Sequence, residues 1–183
     1  ASRQVAEWNQ EYQEGLYVRV NLSAKQFADE QRLERVERVV AKSGLEPSQL
    51  KLELTESTVL DNQEAATRVL EQLKERGVRI SLDDFGTGYS SFSYLHQLPY
   101  DTLKIDRSFV SRIGEQGENC EIVHAIIVLA HNLRMDVVAE GVDEAHQATQ
   151  LQKLACEYGQ GYHCAKPLDA TAAGALIESQ PDW

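Results

Sequence analysis

The chemistry of this chain collects where short apolar runs stop. Leu82-Asp83-Asp84-Phe85-Gly86-Thr87-Gly88-Tyr89-Ser90-Ser91 is a strand-like run that ends in two adjacent carboxylates and a glycine-hinged loop. That is poor material for packing and good material for holding a cation, because carboxylate oxygens are the hard donors that divalent ions take. Neighbouring strand side chains point to opposite faces, so Asp83 and Asp84 can aim inward together only where the strand breaks up into loop. The design recurs: Asn21, Glu53, Asp106, Glu140 and Gln160 stand at or near the ends of the runs 18–23, 50–56, 102–106, 137–141 and 158–162. Taken singly, each has a plainer reading. Asp83 and Asp84 could cap a helix or close an Asx turn, Asn21 could turn the chain, Glu53 and Glu56 could open a helix, and Lys104 with Asp106 could be an ion pair. Together, six polar groups converging on one end of a sheet would leave buried carboxylates unpaired and costly unless cations neutralise them.

The intervals between these residues say what positions them. From Asn21 through Glu53, Asp83, Asp106, Glu140 and Gln160 the steps are 32, 30, 23, 34 and 20 residues, each suited to one strand-helix unit, so parallel strands are expected. The segments between carry helical periodicity. Leu33, Val36, Val39 and Val40 fall on one face of a helix over Glu30 to Ser43, with Gly44 at its left-handed cap. Asp61 and Glu64 form a capping-box pattern ahead of the stripe Ala66, Val69, Leu70 and Leu73, and Gly77 ends that helix. Glu118 to Leu133 is so apolar that it should pack broadly against the sheet. Asp143 to Leu154 and Ala170 to Ile177 supply two more helices, and Tyr89 to His96 a turn or two.

Composition limits the function classes. The 183 residues are 42% hydrophobic and contain no apolar run near the eighteen residues of a membrane span, so one soluble domain is expected, without a span or secretory signal. A net charge of −11 argues against duplex nucleic acid as a partner, which needs a basic surface. A small anionic ligand remains open if metal ions offset the acids. Cys120, Cys156 and Cys164 are odd in number and lack a C-x-x-C spacing, which points to a reduced, cytoplasmic setting. The five histidines show no zinc spacing either.

Six strings resemble the EAL-domain family of cyclic diguanylate phosphodiesterases in order and spacing. They are Val20-Asn21-Leu22-Ser23, Glu53-Leu54-Thr55-Glu56-Ser57, Asp83 to Ser91, Leu103-Lys104-Ile105-Asp106-Arg107-Ser108-Phe109-Val110, Val138-Ala139-Glu140-Gly141-Val142, and Gln160-Gly161-Tyr162 with Lys166-Pro167. The resemblance implies an α/β fold, a (β/α)8-type TIM barrel that is N-terminally incomplete, with about six of eight strands present and residues 1–183 forming one partial EAL domain. A complete barrel runs to about 250 residues. It implies that an N-terminal strand, and a second one bearing the Glu-Ala-Leu glutamate and an arginine clamp, precede this region in the family. Ala1 to Gln10 would then be the end of the following helix, and the chain by itself would turn over slowly or not at all. Its open sheet edge would favour self-association.

The same resemblance implies site roles. Asn21, Glu53 and Asp83 correspond to ligands of a first Mg2+ or Mn2+. Asp83, Asp84 and Asp106 correspond to groups around a second ion, and Glu140 to a further metal-site group. Lys104, with Glu140 and Asp84, corresponds to the catalytic set. Gln160 and Asp143 would position substrate or water, although the family usually has Glu where Asp143 stands. Glu56 corresponds to the anchor of the loop from Gly86 to Ser91, which lies at a dimer contact in the family. The function implied is metal-dependent hydrolysis of cyclic diguanylate to linear pGpG in bacterial second-messenger signalling, by a homodimer attached to sensor or GGDEF-type domains. Two alternatives stand beside it: a catalytically weak or inactive EAL domain acting as a cyclic diguanylate receptor or interaction module, and, more remotely, a Schiff-base aldolase using Lys104.

Overall fold

The computed structural model describes residues 1–12, 15–23, 38, 40, 42–60, 63–86, 95–114 and 119–179. All six expected strands are present: β1 (Val18–Asn21), β2 (Leu50–Thr55), β3 (Arg79–Phe85), β4 (Thr102–Ile105), β5 (Asp136–Glu140) and β6 (Tyr158–Gln160). They follow in sequence order, and β1 with β2, β3 with β4, β4 with β5 and β5 with β6 pair in parallel. Helices alternate with them: α1 (Ser2–Tyr12), α2 (Glu56–Leu60), α3 (Gln63–Glu75), α4 (Arg107–Val110), α5 (Cys120–Asn132), α6 (Ala145–Lys153) and α7 (Ala170–Ser179).

The chain divides into two compact units, one of Ala1–Leu54, Thr58–Ile80 and Pro167–Trp183, the other of Thr55–Ser57 and Ser81–Lys166. In the first, β1 and β2 run in register from Val18 opposite Leu50 to Asn21 opposite Glu53. Leu50, Leu52 and Leu54 of β2 are buried, as are Leu70 and Leu73 of α3, so the expected apolar stripe of that helix is the buried one. Gly77 ends α3 at φ +84, a left-handed turn that favours glycine. In the second unit one face of the sheet carries Leu82, Leu103, Ile105, Val137 and Ala139, all buried, and α5 packs on β4 and β5 through Val123, Ile127 and Ala130. The opposite face carries Ser81, Thr102 and Lys104, also buried. Along β3 and β4 alternation thus sends apolar groups to the helices and polar ones to the other side, where β5 adds the buried Val138 opposite Lys104.

Helix boundaries shift for local reasons. The helix expected from Asp143 starts at Ala145, because the Gln147 side chain accepts from the Asp143 and Glu144 N–H groups at 2.8 and 3.1 Å and so closes a cap one residue before Ala145. α7 runs to Ser179, two residues past the expected Ile177, after Asp169 Oδ1 accepts from Ala172 N. Of the helix expected from Glu30 to Ser43 only residues 38, 40, 42 and 43 are described, and they are helical. Asp61 of the expected capping box, and the turn from Tyr89 as far as residue 94, lie outside the described residues.

Candidate active site

Two neighbouring aspartates reach one point because β3 does not keep its alternation. Leu82 pairs with Leu103 and Phe85 with Ile105, so three steps on β3 meet two on β4 and one residue is extra. That is a bulge, and its strained member is Asp84, at φ 54. Asp83 Oδ1 accepts the Asp84 N–H at 3.1 Å, a short-range bond that suits the kink. The strand therefore continues to Phe85 instead of dissolving into loop, and the bulge turns both carboxylates to the same side. Gly86 follows at φ +96, and a Cβ there would stand 2.7 Å from the Phe109 ring.

Lys104 is the cation at the centre of this site. It stands opposite Val138 in register, and its face continues to Glu140 two residues on. Its Nζ lies 2.8 Å from Asp83 Oδ1 and 2.8 Å from Glu140 Oε1, with only 4% of the side chain exposed. Asp83, Asp84 and Glu140 each offer an oxygen within 4.8 Å of the others. One ammonium thus faces three carboxylates. Burial, then the charges of Asp83 and Asp106, push the Asp84 carboxyl above its ordinary range, while Lys104 pulls it down. A hard, multiply charged cation would relieve that crowding, and the all-oxygen donor set is the one magnesium or manganese takes.

The remaining expected residues divide among other surroundings. Asp106 caps α4, accepting from Ser108 N at 2.9 Å, while its charge is still felt at Asp84. Gln160 ends β6 directly opposite Glu140. Asp143 accepts from Arg107 Nη2 at 2.7 Å through Oδ2, and from Tyr162 N at 3.0 Å through Oδ1. Glu56 opens α2, and its charge adds to burial in raising the Tyr100 phenol well above its usual range. Of the loop it was expected to anchor, only Gly86 is described. In the first unit Asn21 and Glu53 are register partners at the ends of β1 and β2. Glu53 is buried, and Arg19 Nε lies 3.8 Å from its Oε1.

Sequence reasoning missed several groups. Arg19 and Lys51 both lie against the Tyr17 ring, Lys51 Nζ at 4.6 Å from its centroid, and Lys51 is buried. The signal was available: both are cations inside otherwise apolar strands, each two residues before a candidate ligand. Arg107 was also passed over, although it directly follows Asp106.

Comparisons with known proteins agree with this geometry. A family model described as EAL domain matches residues 1–167. The bifunctional diguanylate cyclase/cyclic di-GMP phosphodiesterase MucR of Pseudomonas aeruginosa is 42% identical over 165 residues, which is 90% of this chain and 23% of that protein. The cyclic di-GMP phosphodiesterase PdeR of Escherichia coli is 39% identical over 170 residues, 93% of this chain and 26% of that protein. The chain therefore spans about a quarter of the length of these curated relatives. The solved MucR phosphodiesterase in complex with c-di-GMP superposes with a TM-score of 0.88 at 41% identity, covering 94% of this chain and 70% of that one. A manganese/cyclic-diguanylate complex of Klebsiella pneumoniae BlrP1 superposes with a TM-score of 0.74 at 27% identity, covering 86% of this chain and 40% of that one. The fold class is accordingly an α/β, (β/α)-barrel one, with six of its parallel strands in this chain.

Proposed function

Because the chain belongs to the EAL domain family, we propose that it is the partial EAL phosphodiesterase domain of a larger signalling protein and that it opens cyclic diguanylate to linear pGpG with Mg2+ or Mn2+. The observation that carries this reading is the bulge at Asp84, which brings Asp83, Asp84 and Glu140 around Lys104. Carboxylates gathered on a bulge do little for packing, and two relatives, 42% and 39% identical to this chain, are named cyclic di-GMP phosphodiesterases.

In this reading Asn21, Glu53, Asp83, Asp84, Asp106 and Glu140 are the residues that hold metal. Bound ions would supply a water of lowered pKa and Lewis acidity toward the phosphate. The protein's own share is electrostatic and geometric. Lys104, fixed by Asp83 and Glu140, keeps a positive charge where the phosphoryl oxygens gain negative charge as the P–O bond breaks. Its burial makes that charge strong, because little water screens it. Gln160, opposite Glu140, offers an amide that can orient the attacking water, and the resemblance would make Glu56 a loop anchor. A homodimer, a cytoplasmic setting and attached sensor or GGDEF-type domains belong to the same reading. Schiff-base chemistry at Lys104 is disfavoured, since its amine is engaged by the Asp83 and Glu140 carboxylates at 2.8 Å and is not presented to a carbonyl carbon.

The test is incubation of the upstream-extended chain with cyclic diguanylate, with and without Mg2+ or Mn2+, followed by chromatography for pGpG. Metal-dependent pGpG that disappears in Lys104→Ala is the expected result. Tight binding of the dinucleotide by the chain and by its upstream-extended form, with turnover in neither, would move the protein to the receptor reading.

A further inference from the structure

Three strand ends of the candidate site are each followed by a member of one bracket: Arg107 after Asp106, Gly141 after Glu140, and Gly161 after Gln160. The Arg107 stem lies across the Gly141 backbone so closely that a Cβ there would collide with Arg107 Cγ and stand 2.8 Å from Cδ. Gly141 is also at φ +70, a left-handed conformation that favours glycine. From that position the guanidinium reaches Asp143 Oδ2 at 2.7 Å, and Asp143 Oδ1 accepts from Tyr162 N at 3.0 Å. Val142 completes the tie: its N–H donates to Gln160 O at 3.1 Å and its carbonyl accepts from His163 N at 3.0 Å. Gly161 sits so tightly on Val142 that any side chain would strike the Val142 backbone.

Arg107 is 66% exposed and Asp143 27%, so solvent screens the pair and it contributes little to global stability. Its placement serves local geometry instead. The geometry points to Arg107 and Asp143 as a positioning pair that fixes the strand ends bearing Asp106, Glu140 and Gln160 relative to one another. What those ends do rests on the metal-dependent reading above. Both Asp143 oxygens accept from protein donors, Oδ2 from Arg107 and Oδ1 from Tyr162 N, and it is through these two bonds that Asp143 ties the strand ends. Gly141 and Gly161 are required because the stem and the Val142 backbone occupy the space of a side chain.

Arg107→Met, which keeps the stem but removes the guanidinium, Asp143→Asn, which keeps the acceptor for Tyr162 N, and the double variant test this. Amide hydrogen exchange in metal-free protein and Mn2+ binding by calorimetry are the two readouts. Each single variant is expected to speed exchange at Val142, Tyr162 and His163 and to weaken Mn2+ about tenfold, as loss of an outer partner of a metal site does. The double variant should be no worse than the worse single, because both remove one interaction. Unchanged exchange overturns the bracket whether or not metal binds. Faster exchange with unchanged Mn2+ affinity overturns the positioning role and leaves a structural tie. Wild-type protein that binds no Mn2+ overturns the metal-dependent reading instead, and the bracket then stands or falls on exchange alone. Should Arg107→Met fail to fold, Asp143→Asn carries both readouts.

Discussion

The starts of β5 and β6 and the ends of β3, β4 and β5 treat polar groups in opposite ways. At the starts, Glu157 spends one oxygen on Val137 N at 2.9 Å and the other on His131 Nε2 at 2.7 Å. The Cys156 thiol donates to Val137 O and Tyr158 O, at 3.8 and 3.4 Å, and burial pushes its pKa up to about 11. At the strand ends, Asp83, Asp84 and Glu140 crowd Lys104, and Asp84 holds a left-handed backbone to do so. One end satisfies its polar groups pairwise and serves stability. The other gathers like charges and strain, as the catalytic end of a parallel α/β fold does.

Breaking the crowded end should have the largest effect. Lys104→Met leaves Asp83 and Glu140 facing each other without their cation, and removing one partner of a buried pair costs about 3 kcal/mol. In EDTA the melting temperature should fall by roughly 6–12 °C for a chain of this size, and Mg2+ should restore part of the loss. Upstream-extended enzyme carrying Lys104→Ala should lose about 100-fold or more in kcat with KM much less changed. A variant with near-normal kcat would make Lys104 a structural partner only. Asp83→Asn comes next: calorimetry should find the tighter metal site weakened by about 100-fold or more, beyond the loss of an outer-shell partner. Equal affinity in mutant and wild type would remove Asp83 from the metal site.

The satisfied end supplies the control. Glu157→Ala strips the Val137 N–H of its acceptor and should cost about 1–2 kcal/mol while leaving metal affinity unchanged. A large loss of metal affinity there would erase the distinction between the two ends. The smallest effect belongs to Asp84. Its carboxyl is raised above the ordinary value of 3.8, first by burial and then by Asp83 and Asp106, so the folded chain holds that proton more tightly than the unfolded chain does. Its contribution to stability is therefore full below the ordinary carboxylate value and is lost as pH rises through the raised one. In EDTA at neutral pH, Asp84→Asn should melt slightly higher than wild type, by about 1–2 °C, and the gap should close in acid. A gap independent of pH would assign the gain to backbone strain instead.

Much of this division was readable in the chain. The intervals between Asn21, Glu53, Asp83, Asp106, Glu140 and Gln160 predicted six parallel strands, and six are present in sequence order. Of the stripe Ala66, Val69, Leu70 and Leu73 all but the half-buried Val69 are buried. By contrast α5, expected to pack broadly, buries Val123, Ile126, Ile127 and Ala130 and leaves Ile122 and Val128 exposed, because only one face of a helix can meet the sheet. The Asp143 helix start was misjudged because an aspartate before a helical run reads as a cap. Here Arg107, thirty-six residues earlier, and Tyr162 claim its carboxylate.

By itself the sequence determined which residues could do chemistry and that they end successive strands, because side-chain type and hydrophobic period are local properties. Only the tertiary structure decided that Asp83 and Asp84 share a side, since that depends on one extra residue in β3 against its partner β4. It also decided which carboxylates Lys104 meets, and that Arg107 closes on Asp143 across Gly141. These are long-range contacts whose geometry comes from register and packing, and no spacing along a single chain encodes them.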